Sequence, residues 1–411
     1  MARYLVYTSP HRGHFQPPVA TLQELARRDH EISIRTLAAG ADEVRGLGFS
    51  ASAVDPAIEA IKPQDRSTRT PFGASRAMMQ HLIDQAELAV GDCAAAIEEE
   101  KPDAVIVDMH SFGGAFAAEA SGVPWGFYSG VLPSFPSRDT PPFGPGFKPR
   151  KDVIGRVRDW TFRQIGAAPF KRMARTNFDR IRAQVGLPPQ DGLLEHVLAA
   201  QVAVFYTAEP FEYPRSDWPA SVRLVGPGLW DPPADPPAWL DEIDAPLVLV
   251  TASTDFNDDG AMIEMALDAL ADENVFVVAT TAALNPSRFS APANARVERF
   301  IPHGPIVARA SCVLCHGGVG IVQKALAAAV PVCAVPFGRD NLEVARRLEV
   351  ADAGTFVPGW RLRPDRLRTG VLEAMQQREG ARRIAEAFAA AGGPVAAADA
   401  FEELLPAGVR T

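Results

Sequence analysis

The sequence predicts an α/β protein made of two successive Rossmann-like β/α/β domains. Three observations carry that prediction. Short apolar runs alternate with helix-patterned stretches from the N-terminus onward, as parallel β/α units do. The alternation halts at a proline-rich segment and then restarts, and 411 residues exceed one ordinary core but suit two domains of about 200 residues. Finally, an apolar run over Ala310–Cys315 stops at His316, and three glycines follow within four residues (Gly317, Gly318, Gly320). An alanine-rich stretch to Ala329 and a second apolar run, Val332–Val335, come next. That order is strand, glycine turn, helix, strand.

Arg3–Thr8 has the length of a strand, and Ser9–His14 is the turn after it. Pro17 and Pro18 sit where a first helical turn tolerates proline, and Val19, Leu22, Leu25 and Ala26 mark the apolar face of the helix that follows. Glu31–Leu37 reads as the next strand. The turn is not G-x-G-x-x-G, so a dinucleotide fingerprint is absent. From Ala51 to Ala74, Pro56, Pro63 and Pro71 interrupt the pattern and predict a loop with at most a poor helix, of the kind that shapes a pocket. Ala77–Glu99 is a long helix, Ala104–Val107 a buried strand ending in Asp108-Met109-His110, Ser111–Ala120 a helix and Trp125–Tyr128 a strand. Leu132–Arg150 carries six prolines beside Phe135, Phe143 and Phe147, which excludes a helix and argues against a central strand. A rigid surface excursion and an aromatic wall for an apolar ligand are both open there. Asp152–Val185 is helical and basic, and Val202–Tyr206 and Val222–Val225 are the last strands of this half.

Gly226–Pro246 contains six prolines, four of them in Pro232–Pro237, and is stiff enough to serve as the interdomain linker. The boundaries drawn are a first domain over 1–225, a linker over 226–245, a second domain over 246–390 and a terminal helix over 391–411. The second half opens with a strand at Leu247–Val250, a turn at Thr251–Asn257 and a helix to Leu270. Strands at Val275–Ala279 and near Arg296–Phe300 and a short helix at His303–Arg309 lead into the glycine turn. Helices at Asn341–Glu349, Pro364–Met375 and Gly380–Ala391 complete the unit, with ligands expected at strand C-terminal ends facing a cleft.

Composition narrows the function classes. Apolar residues make up 47% and charged ones 22%, as in globular proteins. A net charge of −9 argues against nucleic acid or an anionic membrane as the main partner. No apolar stretch approaches the ~18 residues of a membrane span, and Met1–Thr8 shows no export signal, so a cytoplasmic enzyme with reduced cysteines is expected. Cys312-Val-Leu-Cys315-His316 matches the c-type haem attachment signature, but that attachment requires export and these cysteines fall on a predicted buried strand. No second Cys or His pair at finger spacing supports zinc.

The glycine turn itself fits a diphosphate cradle: backbone N–H groups and a helix N-terminus face an anion, and His316 adds a donor. Here a family resemblance becomes specific. H-G-G-V-G-I-V-Q-K-A-L-A-A-A-V-P followed by P-F-G-R-D-N resembles the donor motif of nucleotide-sugar-dependent glycosyltransferases of GT-B type, in the family 1-type group that glycosylates bacterial natural products. The usual form is H-G-G-x-G-T-x-x-E-A-L-x-x-G-V-P closing on P-x-x-x-D-Q. In this chain Ile321 replaces the Thr, Lys324 the Glu, Ala329 the Gly and Asn341 the Gln. G-H-F-Q-P resembles the group's G-H-x-x-P, and D-A-V-I-V-D-M-H-S-F-G-G-A-F-A-A-E-A-S-G-V-P its fourth-strand segment.

The resemblance implies two Rossmann-like domains facing each other across a cleft, with the terminal helix crossing back to the first. It implies His14 as the base that activates the acceptor and Asp108 as the carboxylate bonded to it, with His11 and His110 nearby as alternative bases. It implies a nucleotide and diphosphate site from Ser253, Thr254, Phe300, His303, His316, Gly317, Gly318, Val319, Gly320, Ile321 and Lys324, with Phe300 where an aromatic stacks on the pyrimidine. Asp340 and Asn341 match the pair that grips the donor sugar. Phe72, Phe135, Phe143 and Phe147 are candidates for the acceptor. No cofactor or metal is implied: the turn, the helix dipole and His316 would stabilise the leaving diphosphate, and Asp258-Asp259 reads as helix capping.

The implied activity is inverting, metal-independent transfer of a sugar from a dTDP- or UDP-sugar to a hydroxyl of an apolar small molecule, with a homodimer left open. Lys324 has only donors and cannot accept from a ribose diol as the group's Glu does, which favours a deoxyribose nucleotide. Ile321 removes a hydroxyl from the phosphate site. These two departures support an alternative, a non-catalytic homologue acting as a binding or helper protein. A sugar-nucleotide epimerase shares the layout but not the G-H-x-x-P segment.

Overall fold

In a computed structural model of the chain, residues 1–10, 12–62, 71–166, 168–231, 235–252, 260–282, 284–338 and 340–408 are described. Two parallel sheets organise them. The first has seven strands, β1 Arg3–Tyr7, β2 Glu31–Thr36, β3 Ser50–Ala53, β4 Ala104–Asp108, β5 Trp125–Ser129, β6 Val202–Phe205 and β7 Val222–Leu224, in the order β3-β2-β1-β4-β5-β6-β7. Its helices are α1 Arg12–Phe15, α2 Val19–Arg27, α3 Ala38–Gly46, α4 Pro56–Ala60, α5 Pro71–Glu100, α6 Phe112–Ser121, α7 Val153–Thr161, α8 Ala168–Gln184 and α9 Leu193–Ala199. The second sheet has six strands, β8 Leu247–Thr251, β9 Phe276–Thr280, β10 Ala295–Glu298, β11 Ala310–Cys315, β12 Val332–Ala334 and β13 Gly354–Phe356, in the order β10-β9-β8-β11-β12-β13. With it go α10 Gly260–Ala269, α11 His303–Arg309, α12 Val319–Ala327, α13 Asn341–Val350, α14 Pro364–Ala374, α15 Arg378–Ala390 and α16 Gly393–Glu402.

These are the two Rossmann-like domains that the sequence predicts. Central strands such as β4, β5 and β8 are buried along their whole length, which is why they read as unbroken apolar runs. Strand order reverses between β1 and β4 in one sheet and between β8 and β11 in the other. Such switch points open crevices at strand C-terminal ends, where ligands bind. β3 and β13, absent from the sequence reading, are edge strands: SASA is made of small residues with little strand preference, and GTF is only three residues long. The stretch expected to be helical and basic over Asp152–Val185 holds α7, a π-helical turn at Phe162–Gly166 that follows it, and α8 from Ala168.

Among the contacts that tie the halves together, two are built from charged and apolar clusters. On α16, Ala397, Ala398 and Phe401, and just after it Leu404 and Leu405, enter the first-domain core beside Tyr4, Val6, Leu22 and Leu25. Arg28 reaches Asp399 at 2.7 Å and Glu402 at 2.9 Å there. The second contact is a fully buried charge network. Arg347 of α13 donates to both carboxylate oxygens of Glu212, at 3.0 Å each, and to Glu343 at 3.1 Å. Glu343 also accepts from the backbone N–H groups of Gly144 (2.7 Å) and Gly146 (2.8 Å), so the proline-rich loop of the first domain is fastened to a helix of the second. Gly146 has φ +61°, and a Cβ there would stand 2.5 Å from Leu342 Cγ; only glycine permits this approach.

Candidate active site

The first wall of the cleft grows from β1 and β4. Because these strands pair directly, the turn after β1 and the last residue of β4 lie side by side. His14 Nδ1 and Asp108 Oδ2 are 2.7 Å apart. The Tyr128 hydroxyl donates to the His14 carbonyl at 2.8 Å and fixes the turn, while the His110 N–H donates to Asp108 Oδ1 at 2.8 Å. Asp108 is buried, which raises a carboxyl pKa, yet His14 and His110 outweigh that effect and hold it below the usual carboxylate range. An ionised Asp108 must accept from Nδ1–H, which leaves Nε2 of His14, a side chain 23% exposed, as the lone-pair acceptor.

The His110 ring lies 4.9 Å from the His14 ring. Burial, then the adjacent His14, push its pKa down to about 4, against the pull of Asp108. A neutral imidazole with so low a pKa is a poor base at neutral pH. The ligand atoms of His14, Asp108 and His110 all lie within 4.8 Å of one another. His11 lies outside the described residues.

The second wall grows from β11 and its glycine turn. Gly317 has φ +87°, and a Cβ there would meet the Asn341 carbonyl at 3.2 Å. A Cβ on Gly318 would come within 2.6 Å of His316 Nε2, so the imidazole lies directly over the N-cap of α12. The glycines thus let backbone, His316 and the start of α13 crowd together, with Asp340 as the N-cap of α13 and Asn341 as its first, buried residue. Phe300 is 70% exposed, as a stacking surface must be. His303 lies 3.1 Å from Thr280 Oγ1 and 3.5 Å from Thr251 Oγ1. Burial, then Lys324, lower its pKa to about 4, and Asp231 works in the opposite direction. Val319 and Ile321 pack into the second-domain core; apolar packing on that side of the first turn of α12 explains an isoleucine where the resemblance expects threonine. Lys324 pairs with the Asp231 carboxylate.

Other expectations fare differently. Ser253 and Thr254 lie outside the described residues, as does the Phe72 side chain. Phe135 is 3% exposed, with its ring beneath the Arg215 guanidinium at 4.8 Å and 5.9 Å from Trp218; it is core and cannot face an acceptor. Phe143 packs on the second-domain core, and Phe147 is held by Phe162 (5.6 Å) and Arg158 (4.5 Å). Of these three rings Phe143 reaches the second domain, while Phe135 and Phe147 pack within the first. Cys312 and Cys315 are buried in cores on opposite faces of the second sheet, and burial pushes the Cys315 thiol up to about 12, which rules out a shared haem or zinc. Sequence reasoning missed Glu212, Glu343, Arg347 and Asp231, because each acts through residues far away in the chain.

Two Rossmann-like domains with a histidine–carboxylate pair on one wall and a glycine-turn helix N-terminus on the other define a GT-B glycosyltransferase. Comparison with known proteins places it further. Residues 264–404 match the family described as the erythromycin biosynthesis protein CIII-like C-terminal domain. The 4'-demethylrebeccamycin synthase of Lentzea aerocolonigenes is 34% identical over 98% of this chain and 100% of its own length. Among solved structures, the calicheamicin glycosyltransferase CalG4 aligns with TM-score 0.77 at 22% identity, covering 98% of both chains. The glycosyltransferase VinC, solved in complex with dTDP, aligns with TM-score 0.71 at 21% identity over 98% of this chain and 99% of its own. The chain belongs to the family 1-type, EryCIII-like nucleotide-sugar-dependent glycosyltransferases of bacterial natural-product biosynthesis. Among the described residues, no helix is long and apolar enough to cross a membrane.

Proposed function

We propose that this glycosyltransferase moves a sugar from a dTDP-sugar, in preference to a UDP-sugar, to a hydroxyl of an apolar small-molecule acceptor, with inversion and without a metal. The observation that carries the reading is the 2.7 Å contact between His14 and an ionised, buried Asp108. Nε2 of His14 takes the acceptor's hydroxyl proton as that oxygen forms a bond to the anomeric carbon. The bond from that carbon to the diphosphate oxygen breaks, and the nucleoside diphosphate leaves with the electron pair. Asp108 supports the imidazolium that results. Charge on the leaving group is met by the N-terminus of α12, the glycine-turn amides and His316. Asp340 and Asn341 grip the sugar beside that turn, and Phe300 stacks on the base. Attack from the His14 side against a leaving group on the opposite wall is a direct displacement, which inverts the anomeric centre.

The relatives support the chemistry: one is named as a 4'-demethylrebeccamycin synthase, and the glycosyltransferase VinC was solved with dTDP. The cytoplasmic location expected from the sequence belongs to the same reading. The test is calorimetric titration with dTDP and UDP, each with and without EDTA, followed by NMR of the product's anomeric coupling. We expect dTDP to bind more tightly than UDP, no effect of EDTA, and an inverted anomer. Retention would sink the displacement mechanism. Loss of activity with EDTA would turn attention to the His14, Asp108 and His110 cluster as a metal site.

A further inference from the structure

We infer that Asp231, from the proline-rich linker, is the hydrogen-bond acceptor for the 3'-hydroxyl of the donor nucleoside, and that Lys324 holds it in place. The inference rests on the donor-site reading above and adds a residue that the donor motif does not contain. The difficulty it resolves is chemical. A nucleoside hydroxyl that donates needs an oxygen or a neutral nitrogen facing it, and Lys324 offers only N–H donors.

The structure brings a carboxylate to that place from another part of the chain. Lys324, 19% exposed, reaches from α12 to Asp231, 34% exposed, and bonds its Oδ1. The second oxygen, Oδ2, has no hydrogen-bond partner among the described residues. It points at the first turn of α11, where a Cβ on Gly304 would stand only 3.1 Å away. The absence of a side chain at Gly304 keeps that oxygen open. His303, the preceding residue, feels both charges, Lys324 lowering and Asp231 raising its pKa, so all three groups face one small volume. Exposed Phe300, the stacking surface, stands three residues earlier in the chain. A base on Phe300 and a diphosphate at the Gly317–Gly320 turn place the connecting sugar between them, beside Oδ2. With one carboxylate oxygen occupied by Lys324, a single oxygen remains for a single hydroxyl, which is what a deoxyribose presents.

A purely structural role, tethering the linker to α12, would leave hydroxyl discrimination untouched, and that separates the readings. The experiment is calorimetric titration of wild type and Asp231→Asn with dTDP, with 2',3'-dideoxythymidine diphosphate and with inorganic pyrophosphate. Wild type is expected to bind dTDP about tenfold more tightly than the 3'-deoxy analogue, the size of one hydrogen bond to a charged acceptor. In Asp231→Asn the two nucleotides should bind alike and more weakly, with pyrophosphate affinity unchanged. The exchange variant Asp231→Lys/Lys324→Glu, which puts the carboxylate back on α12, should restore the preference for the 3'-hydroxyl. Equal affinity of wild type for dTDP and its 3'-deoxy analogue would overturn the inference, as would an unaltered preference in Asp231→Asn. Failure of wild type to bind any of the three ligands would instead overturn the donor-site reading on which the inference stands.

Discussion

The two walls of the cleft are both built at strand-order reversals, yet they position charge in opposite ways. On the acceptor side, His14 lies on α1, after β1, and Asp108 ends β4, the strand paired with β1, with its carboxylate buried. On the donor side, Lys324 and Asp231 come from a helix and a linker, and both side chains are partly open to water. A pair with a buried carboxylate fixes geometry, tautomer and protonation state together, which proton transfer demands. A pair whose carboxylate is about a third exposed contributes little energy but can present an oxygen to a ligand. Under the proposed roles, catalysis and recognition draw on different parts of the chain: the ends of paired strands and the turns after them for the first, a connecting segment for the second.

The sharpest way to break the comparison is to remove the base that the buried carboxylate holds. His14→Ala should lower kcat/KM by about 10³-fold or more, within the range for a positioned general base, while dTDP affinity by calorimetry changes less than about twofold. If His14→Ala keeps wild-type turnover, the base lies elsewhere and the acceptor wall has been misread. The next largest effect is on stability. Arg347→Met leaves the buried Glu343 carboxylate without a guanidinium and Glu212 with that of Arg215 alone, which costs about 3 kcal/mol. A clear drop in the denaturant midpoint is expected, and an unchanged midpoint would show that the network is not closed in solution.

Much of the fold was legible because its signals are local. Parallel central strands announce themselves as apolar runs, and the glycine turn at 317–320 is a contiguous motif whose steric reason, His316 and Asn341 within van der Waals reach, the structure supplies. The His14–Asp108 pair was legible for a related reason: Asp108 ends a recognisable strand, and His14 lies in the short G-H-F-Q-P segment that follows another. The failures share a cause too. Phe135 looked like a ligand-facing aromatic because a proline-rich loop gives no sign of which side its rings turn to; packing under Arg215 and Trp218 decides that. Asp231 and Glu343 carry no local signal at all, since their partners lie 93 and roughly 200 residues away.

A buried histidine without a carboxylate sharpens the contrast with His14. His196 is enclosed by Phe112, Phe116, Trp125 and Phe127, and neither ring nitrogen has a hydrogen-bond partner. Burial, reinforced by Arg182, pushes its pKa down to about 4. The folded pKa is depressed, so stability is intact above the unfolded value of about 6.5 and is lost as pH falls toward 4. Between pH 6.5 and 5 the loss from this group amounts to about 2 kcal/mol. His196→Phe, which preserves the aromatic cluster, should flatten the acid limb of the stability curve measured by denaturant titration. An equally steep limb in the variant would show that His196 is not the group responsible.

The smallest effect separates the partly exposed pair from everything above. Lys324→Met removes one charge from a contact that water already screens, so the unfolding free energy should change by less than about 0.5 kcal/mol. A structural tether would behave no differently from this in a melting experiment, and that is why stability alone cannot identify what the pair is for. Nucleotide selectivity can. Without Lys324, Asp231 keeps its carboxylate but loses the contact that aims Oδ2 past Gly304. Affinity for dTDP should fall about threefold to tenfold, while affinity for pyrophosphate stays the same. A loss of more than about 2 kcal/mol of stability would place Lys324–Asp231 in the same class as the buried network around Arg347 and erase the distinction between the two walls.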